Sequence, residues 1–202
     1  MIKKVKGYLL SNFYYLRHQL YLKYCTKIII GSGCTQQRGW FSTDLPEIDI
    51  TSVKKCSKFW KGNSKIAFLA EHVWEHLNED EAHSGAECCY YFLKNNGRLR
   101  IAVPDGFHPN QNYIDQVKPN GNGLGSDDHK ILYTVENLSK VFVNIGFEVN
   151  PLEYWDSQGN FVQKEWNDQW GRIERSAAND SRNTKDNPLT YTSLIIDCVK
   201  RK

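Results

Sequence analysis

The chain has 202 residues, 40% of them hydrophobic and 24% charged, the proportions of a globular protein long enough to bury one sizeable core. Its formal charge of +3 hides an asymmetry, because residues 1–43 carry seven Lys or Arg and no acid, which leaves 3 − 7 = −4 on the rest. No apolar run approaches the ~20 residues that span a bilayer, the six cysteines form no pairing pattern, and no Arg/aromatic pattern is dense enough to favour nucleic acid as a partner.

The N-terminus, "MIKKVKGYLLSNFYYLRHQL", opens like a secretion signal, but Asn12, Arg17 and His18 interrupt it and no small-residue cleavage site follows. The expectation is a cytoplasmic protein with reduced thiols, adjacent Cys88 and Cys89 serving as small packing residues in a helix. Leu9, Phe13, Leu16, Leu20 and Tyr24 share one helical face. A basic helix over 1–26 is therefore expected to dock on the domain with a solvated basic edge, with contact to an anionic membrane surface, nucleic acid or an acidic substrate as the alternative.

"KIII" (27–30) reads as a buried strand and runs straight into "GSGC". Gly31 and Gly33 would let the backbone approach a ligand closely. "WFSTD" (40–44) reads as a second strand ending on Asp44, and "IDIT" (48–51) as a third. "KIAFLA" (65–70) is a buried strand that feeds "AEHVWEHL" (70–77). A helix follows over 78–97, with Asn78 as N-cap and Gly97 after its end. "RLRIAVPD" (98–105) is the next strand. Residues 134–146 form a helix that starts on Thr134, with Asn137 three residues on, and stops at Gly146. "FEVNPLEYW" and "TYTSLIIDCV" are strands, and the polar stretch 156–189 between them is expected to be a surface insertion.

Strands alternating with helices predict a single α/β domain, a mostly parallel sheet with helices on both faces. It divides into the N-terminal helix, a core over 27–155, the insertion and a final strand over 190–200. Ligands bind such sheets at the carboxyl ends of the strands. That rule collects Gly31 to Cys34, Asp44, Glu71 to His76, and Asp105 with the loop after it. Asp44 lies only 11 residues past Gly33, against about 20 in dinucleotide folds, so the first crossover helix must be shortened or replaced by a loop.

The run "IIIGSG…GWFSTD…IAFLAEHVWEHL…ECCYYFLKNNGRLRIAVPDG" resembles the class I S-adenosylmethionine-dependent methyltransferases. "GLGSDDHKILY" (123–133) and "YTSLIIDCVK" (191–200) resemble one small subgroup of them, with Asn95 and Asn96 standing where that subgroup has Pro-Gly. The resemblance spans residues 27–200. It implies a Rossmann-like seven-stranded sheet whose last strand is antiparallel, with S-adenosylmethionine as cofactor. It further implies that Gly31, Ser32, Gly33 and Cys34 face the methionine part and that Asp44 holds the ribose. Ala70, Glu71 and His72 would lie beside the sulfonium, and Asp49 or a neighbour near the adenine.

The implied reaction is transfer of a methyl group to a small molecule or a glycan, at oxygen. His76, Asp105 and His129 are the candidate bases. The acceptor site is expected from the loop 106–130, with Tyr113, Lys118, Asp127, Asp128, His129 and Lys130, and from Trp166, Trp170, Arg172 and Arg175 of the insertion. An RNA methyltransferase and a non-catalytic binding module of the same fold are the alternatives.

His72-x-x-Glu75-His76 has three readings. As a helix it would match a zinc peptidase, but the strand abutting it and "GRLRIAVPD" downstream argue otherwise. The favoured reading is a metal-free segment that shapes the cofactor pocket. The third, by similarity to metal-dependent 2′-O-methyltransferases acting on small-RNA ends, sets a divalent metal on His72, Glu75 and His76, with His108 or His129 as the fourth ligand.

Overall fold

A computed structural model describes residues 18 and 20–201. Three consecutive isoleucines, Ile28 to Ile30, are almost fully buried and make β1 (Lys27–Ile30) an interior strand. The others are β2 (Phe41–Ser42), β3 (Lys65–Glu71), β4 (Leu93–Pro104), β5 (Phe147–Trp155), β6 (Phe161–Gln163) and β7 (Ser193–Lys200). They form one seven-stranded sheet in the order β2-β1-β3-β4-β7-β5-β6. The first four in that order are mutually parallel, and β7, the last in sequence, is antiparallel to both its neighbours. β1 has β2 on one side and β3 on the other. The chain order reverses there, and the carboxyl ends of β1 and β3 flank the crevice where such sheets take ligands.

The expected strand at 48–51 is a turn instead. Asp49 Oδ1 accepts from the Thr51 amide (3.0 Å) and hydroxyl (2.6 Å), and Oδ2 accepts from Lys55 Nζ (2.7 Å). Such local hydrogen bonds compete with a strand ladder, and α1 (Val53–Cys56) starts directly afterwards. Seven strands are still reached, because 161–163 pairs back on β5 as a hairpin.

The capping signals at 78 and 134 form as expected. Asn78 and Glu81 bond each other's backbone at the start of α2 (Glu79–Phe92). α3 (Gln111–Val117) comes next, and Thr134 with Asn137 opens α4 (Val135–Ile145), which Gly146 stops at φ +108. α2 ends at Phe92 rather than 97, because the chain passes directly into β4. Gly97 is required by proximity instead: a Cβ there would lie 2.7 Å from the Lys94 carbonyl oxygen and 3.1 Å from that of Ile66. Cys88 and Cys89 are free thiols fully buried in the core.

Helices α2 and α4 cover one face of the sheet, with Ala86, Cys89, Leu138 and Phe142 against Ile28, Phe68 and Leu99. The other face is built from Ile29, Leu69, Ala102 and Ile195, and among the described residues no helical one joins that cluster. Ile173 and Trp166 of the insertion pack there. The insertion is thus not confined to the surface: Ile173 and Ser176 are fully buried. Gly171 (φ +105) crosses so close that a Cβ would lie 2.9 Å from both Leu69 methyl carbons. Irregular chain therefore takes the place of a crossover helix between β1 and β2, which is why Gly33 and Asp44 can be so near in sequence.

Arg100 fastens this cover. Its Nε and Nη2 donate to Asp197 (2.8 and 2.9 Å), and Nη1 donates to the carbonyls of Asn167 and Gly171 (both 2.7 Å). Trp166 and Trp170 stack on Arg100 and Arg98 at 4.7 Å, so these tryptophans hold the insertion down.

Residues 20–24 are helical, with Leu22 buried but Leu20 and Tyr24 exposed by 55% and 68%. The docked face is not the expected one over this stretch, and Leu9, Phe13 and Leu16 lie outside the described residues. Buried Lys65 donates to the carbonyls of Leu22, Lys23 and Cys25, a cation at a helix C-terminus. No helix among the described residues is long and apolar enough to cross a membrane.

Candidate active site

The glycine turn after β1 is tied to the end of β2. Gly33 N donates to Asp44 Oδ2 and Leu45 N to Asp44 Oδ1, both at 2.9 Å, and Ser32 N donates to the Thr43 carbonyl at 3.0 Å. Gly31 and Gly33 have φ of +58° and +50°, a region that favours glycine. A Cβ on Gly31 would stand 2.6 Å from a methyl of Val73, so the turn meets the segment that leaves β3. Cys34 and Asp44 are exposed, Ser32 is 9% exposed and Ala70 is fully buried.

Glu71 faces the insertion. Its two carboxylate oxygens accept from the Glu174 and Arg175 amides at 3.1 and 2.7 Å. Gln37, in the loop after the glycine turn, accepts from the Arg172 amide (2.9 Å) and donates to its carbonyl (2.7 Å). These bonds hold residues 172–175 over the strand ends. Glu71→Ala is expected to speed amide exchange at Glu174 and Arg175 at least tenfold, with the β4 amides unchanged. Exchange read by NMR checks it.

His72 has φ +56, a conformation uncommon for a residue with a Cβ. The strand turns sharply there, and Trp74–His76 is a single 3-10 turn rather than part of an α-helix. The helical zinc-peptidase arrangement is therefore not formed. Trp74 is fully buried, 5.5 Å from Phe142 ring to ring. The Glu75 carbonyl accepts from the Lys130 and Ile131 amides at 2.7 and 3.2 Å, which draws the 126–131 loop alongside.

The result is a cavity of about 480 Å³ lined by His72, Glu75, His76, His129, Arg175 and Tyr191, among others. His129 Nδ1 lies 2.7 Å from the Val117 carbonyl oxygen. A carbonyl only accepts, so Nδ1 carries a proton, and in the neutral ring Nε2 keeps the lone pair. His76 Nδ1 lies 2.7 Å from Asp128 Oδ1, and the two imidazole rings meet edge to face at 4.7 Å. His72 Nε2 is 3.1 Å from Ser193 Oγ. Arg182 lies over the Tyr191 ring at 3.3 Å and pairs with Asp180 at 2.8 and 2.6 Å.

The structure does not bring Asp105 and His108 into this cavity. Asp105 is fully buried, and its oxygens accept from the Phe107 and Trp155 amides at 3.0 and 2.7 Å. Burial lifts its pKa to about 6 from an ordinary 3.8. The folded chain then holds more protons than the unfolded one between those values, so this group's contribution to stability falls as pH rises from about 4 to about 6. Asp105→Asn is expected to flatten that slope in urea midpoints taken across the window. His108 stacks on Tyr113 at 3.9 Å, accepts from the Asn110 amide, and lines a separate cavity of about 500 Å³ with Trp155. Its burial pushes its pKa down to about 4.

Other residues expected at the acceptor site have different work. Lys118 pairs with Asp115, Lys130 with Glu81 and Arg172 with Glu174, and Tyr113 is buried between His108 and Tyr191. Arg182 belongs to no periodic element or motif, and Tyr191 enters the sequence reading only as the first residue of "YTSLIIDCVK", with no role at the site.

No protein-family model and no curated protein matches the sequence. Solved structures do. A SAM-dependent methyltransferase of Thermotoga maritima matches at 15% identity and a TM-score of 0.52, over 98% of this chain and 95% of the other. A chain from the complex of the Haloferax volcanii Trm112 methyltransferase activator matches at 11% and 0.52, over 99% and 95%. The CurJ carbon methyltransferase matches at 12% and 0.50, over 87% of this chain and 48% of its own. At such identities the likeness shows the fold: this chain folds as the S-adenosylmethionine-dependent methyltransferases do.

Proposed function

We propose that the chain is an S-adenosylmethionine-dependent methyltransferase acting on a small polar molecule or a glycan, at oxygen. One observation carries the reading. The segment leaving β3 serves both sides of a reaction centre: Val73 meets the Gly31 turn, while His72 beside it lines the cavity. A cofactor on the glycine turn would therefore present its methyl group towards the acceptor cavity.

The residues present fit S-adenosylmethionine. A Cβ at Gly33 would meet nothing within 4 Å, so the turn is open to a ligand there, and each Asp44 oxygen keeps a lone pair beyond its single amide bond for a ribose hydroxyl. When bound, the cofactor supplies an electrophilic methyl on a good leaving group. The protein's share is alignment of the acceptor and removal of its proton. In the neutral ring, Nε2 of His129 suits that second task. Exposed Arg175 at the cavity suits an anionic group on the acceptor.

Thermal shift and calorimetric titration with S-adenosylmethionine and S-adenosylhomocysteine test the reading. A rise in Tm with either is expected. No shift and no binding heat with both at millimolar ligand would sink it.

A further inference from the structure

We propose that Glu75, His76 and His129 form a binding site for one divalent transition-metal ion, of the zinc type, in the wall of the cavity. One ligand atom from each of the three lies within 4.8 Å of the other two. This differs from the set suggested by the H-x-x-E-H spacing, which used His72 and left His129 as one of two options for a fourth.

Two observations support the site independently of the motif. Glu75 is completely buried, and neither carboxylate oxygen has a hydrogen-bond partner. A buried carboxylate without hydrogen bonds is strongly disfavoured unless a counter-charge meets it, and a cation supplies that charge. His72 Nδ1 does approach Glu75 Oε1 at 2.9 Å, but it is not aligned to make a hydrogen bond. Both other ligands are held through Nδ1, His76 by the Asp128 carboxylate and His129 by the Val117 carbonyl. That pattern sets Nε2 as the free donor atom and orients the ring, as the outer partners of metal-bound imidazoles do. His72, occupied by Ser193 through Nε2, sits behind Glu75 rather than among the ligands.

One oxygen and two imidazole nitrogens favour zinc, cobalt or manganese over magnesium or calcium, which prefer all-oxygen sites. Three protein ligands leave positions open, and the cavity borders them. If the methyltransferase reading holds, His129 Nε2 would serve as a ligand and not as the base while the metal is bound, and the open positions would take the acceptor's oxygen and ease loss of its proton; the metal site itself does not depend on that reading.

The test uses zinc chloride alone, titrated calorimetrically into chelator-stripped full chain, with the visible spectrum of the cobalt form as a second readout. One ion per chain is expected. His76→Ala and His129→Ala should each weaken binding at least tenfold, Asp128→Asn by a smaller factor, and millimolar magnesium should not compete. His76 and His129 are half-buried and Asp128 is exposed, so these variants should keep the wild-type far-ultraviolet CD spectrum and be comparable. Glu75→Gln, which keeps the side chain's shape, should lose zinc binding and lose any zinc-dependent rise in Tm. Failure of the wild type to bind zinc, or equal binding by the His76→Ala/His129→Ala double variant, overturns the site. The S-adenosylmethionine titration is separate: cofactor binding without zinc removes only the metal, and zinc binding without cofactor removes only the methyltransferase.

Discussion

Asp197→Ala is expected to destabilise the chain by about 3–5 kcal/mol, the cost of breaking a buried pair from one side. The Arg100 guanidinium is 1% exposed and gives two of its hydrogen bonds to this carboxylate, and Arg98 adds a third at 2.8 Å. Without Asp197 a buried cation is left facing two carbonyl oxygens and a tryptophan ring. The loss should exceed that of an average core truncation locally, because the same arginine holds Asn167 and Gly171. Residues 167–175 should lose exchange protection along with the global stability. Urea unfolding followed by tryptophan fluorescence gives the figure, and a loss below about 1 kcal/mol would mean that the pair is not what pins the insertion.

Asp44→Ala is expected to weaken S-adenosylmethionine binding tenfold to a hundredfold, about 1.4–2.7 kcal/mol. A hydrogen bond to a charged group contributes about 1.5–3 kcal/mol, and exposure of Asp44 places the effect towards the low end. The carboxylate also accepts from Gly33 and Leu45, so part of the loss comes from a looser glycine turn. Asp44→Asn keeps acceptor oxygen and shape but not the charge, and should fall between the two. Calorimetry with the cofactor measures both. Unchanged affinity in Asp44→Ala would place the ribose elsewhere.

What was legible in the sequence was local. The buried strands, the Asn78–Glu81 and Thr134–Asn137 caps, and the Gly146 stop all depend on residues three or four apart, where backbone geometry alone brings groups together. The 48–51 strand failed for the same kind of reason: Asp49 found closer partners in Thr51 and Lys55 than a neighbouring strand could offer. The end of α2 was misread because Gly97 looked like a helix stop, whereas a close approach to the Lys94 and Ile66 carbonyls requires it.

By itself the sequence determined the order of the strands and helices, the glycine turn after β1 with an acid at the end of β2, and a histidine-rich segment at the end of β3. Those follow from side-chain periodicity and turn chemistry, which act over a few residues. Only the tertiary structure decided that the insertion replaces a helical layer, that Gln37 reaches Arg172 across 135 positions, and that Glu71 serves backbone 103 and 104 positions away. It also set ligand atoms of His129, His76 and Glu75 within 4.8 Å of one another. That placement rests on the Glu75 carbonyl pairing with the Lys130 and Ile131 amides, a contact between two loops. Contacts of this kind form when packed strands bring their ends together, and no spacing in the sequence encodes the distance.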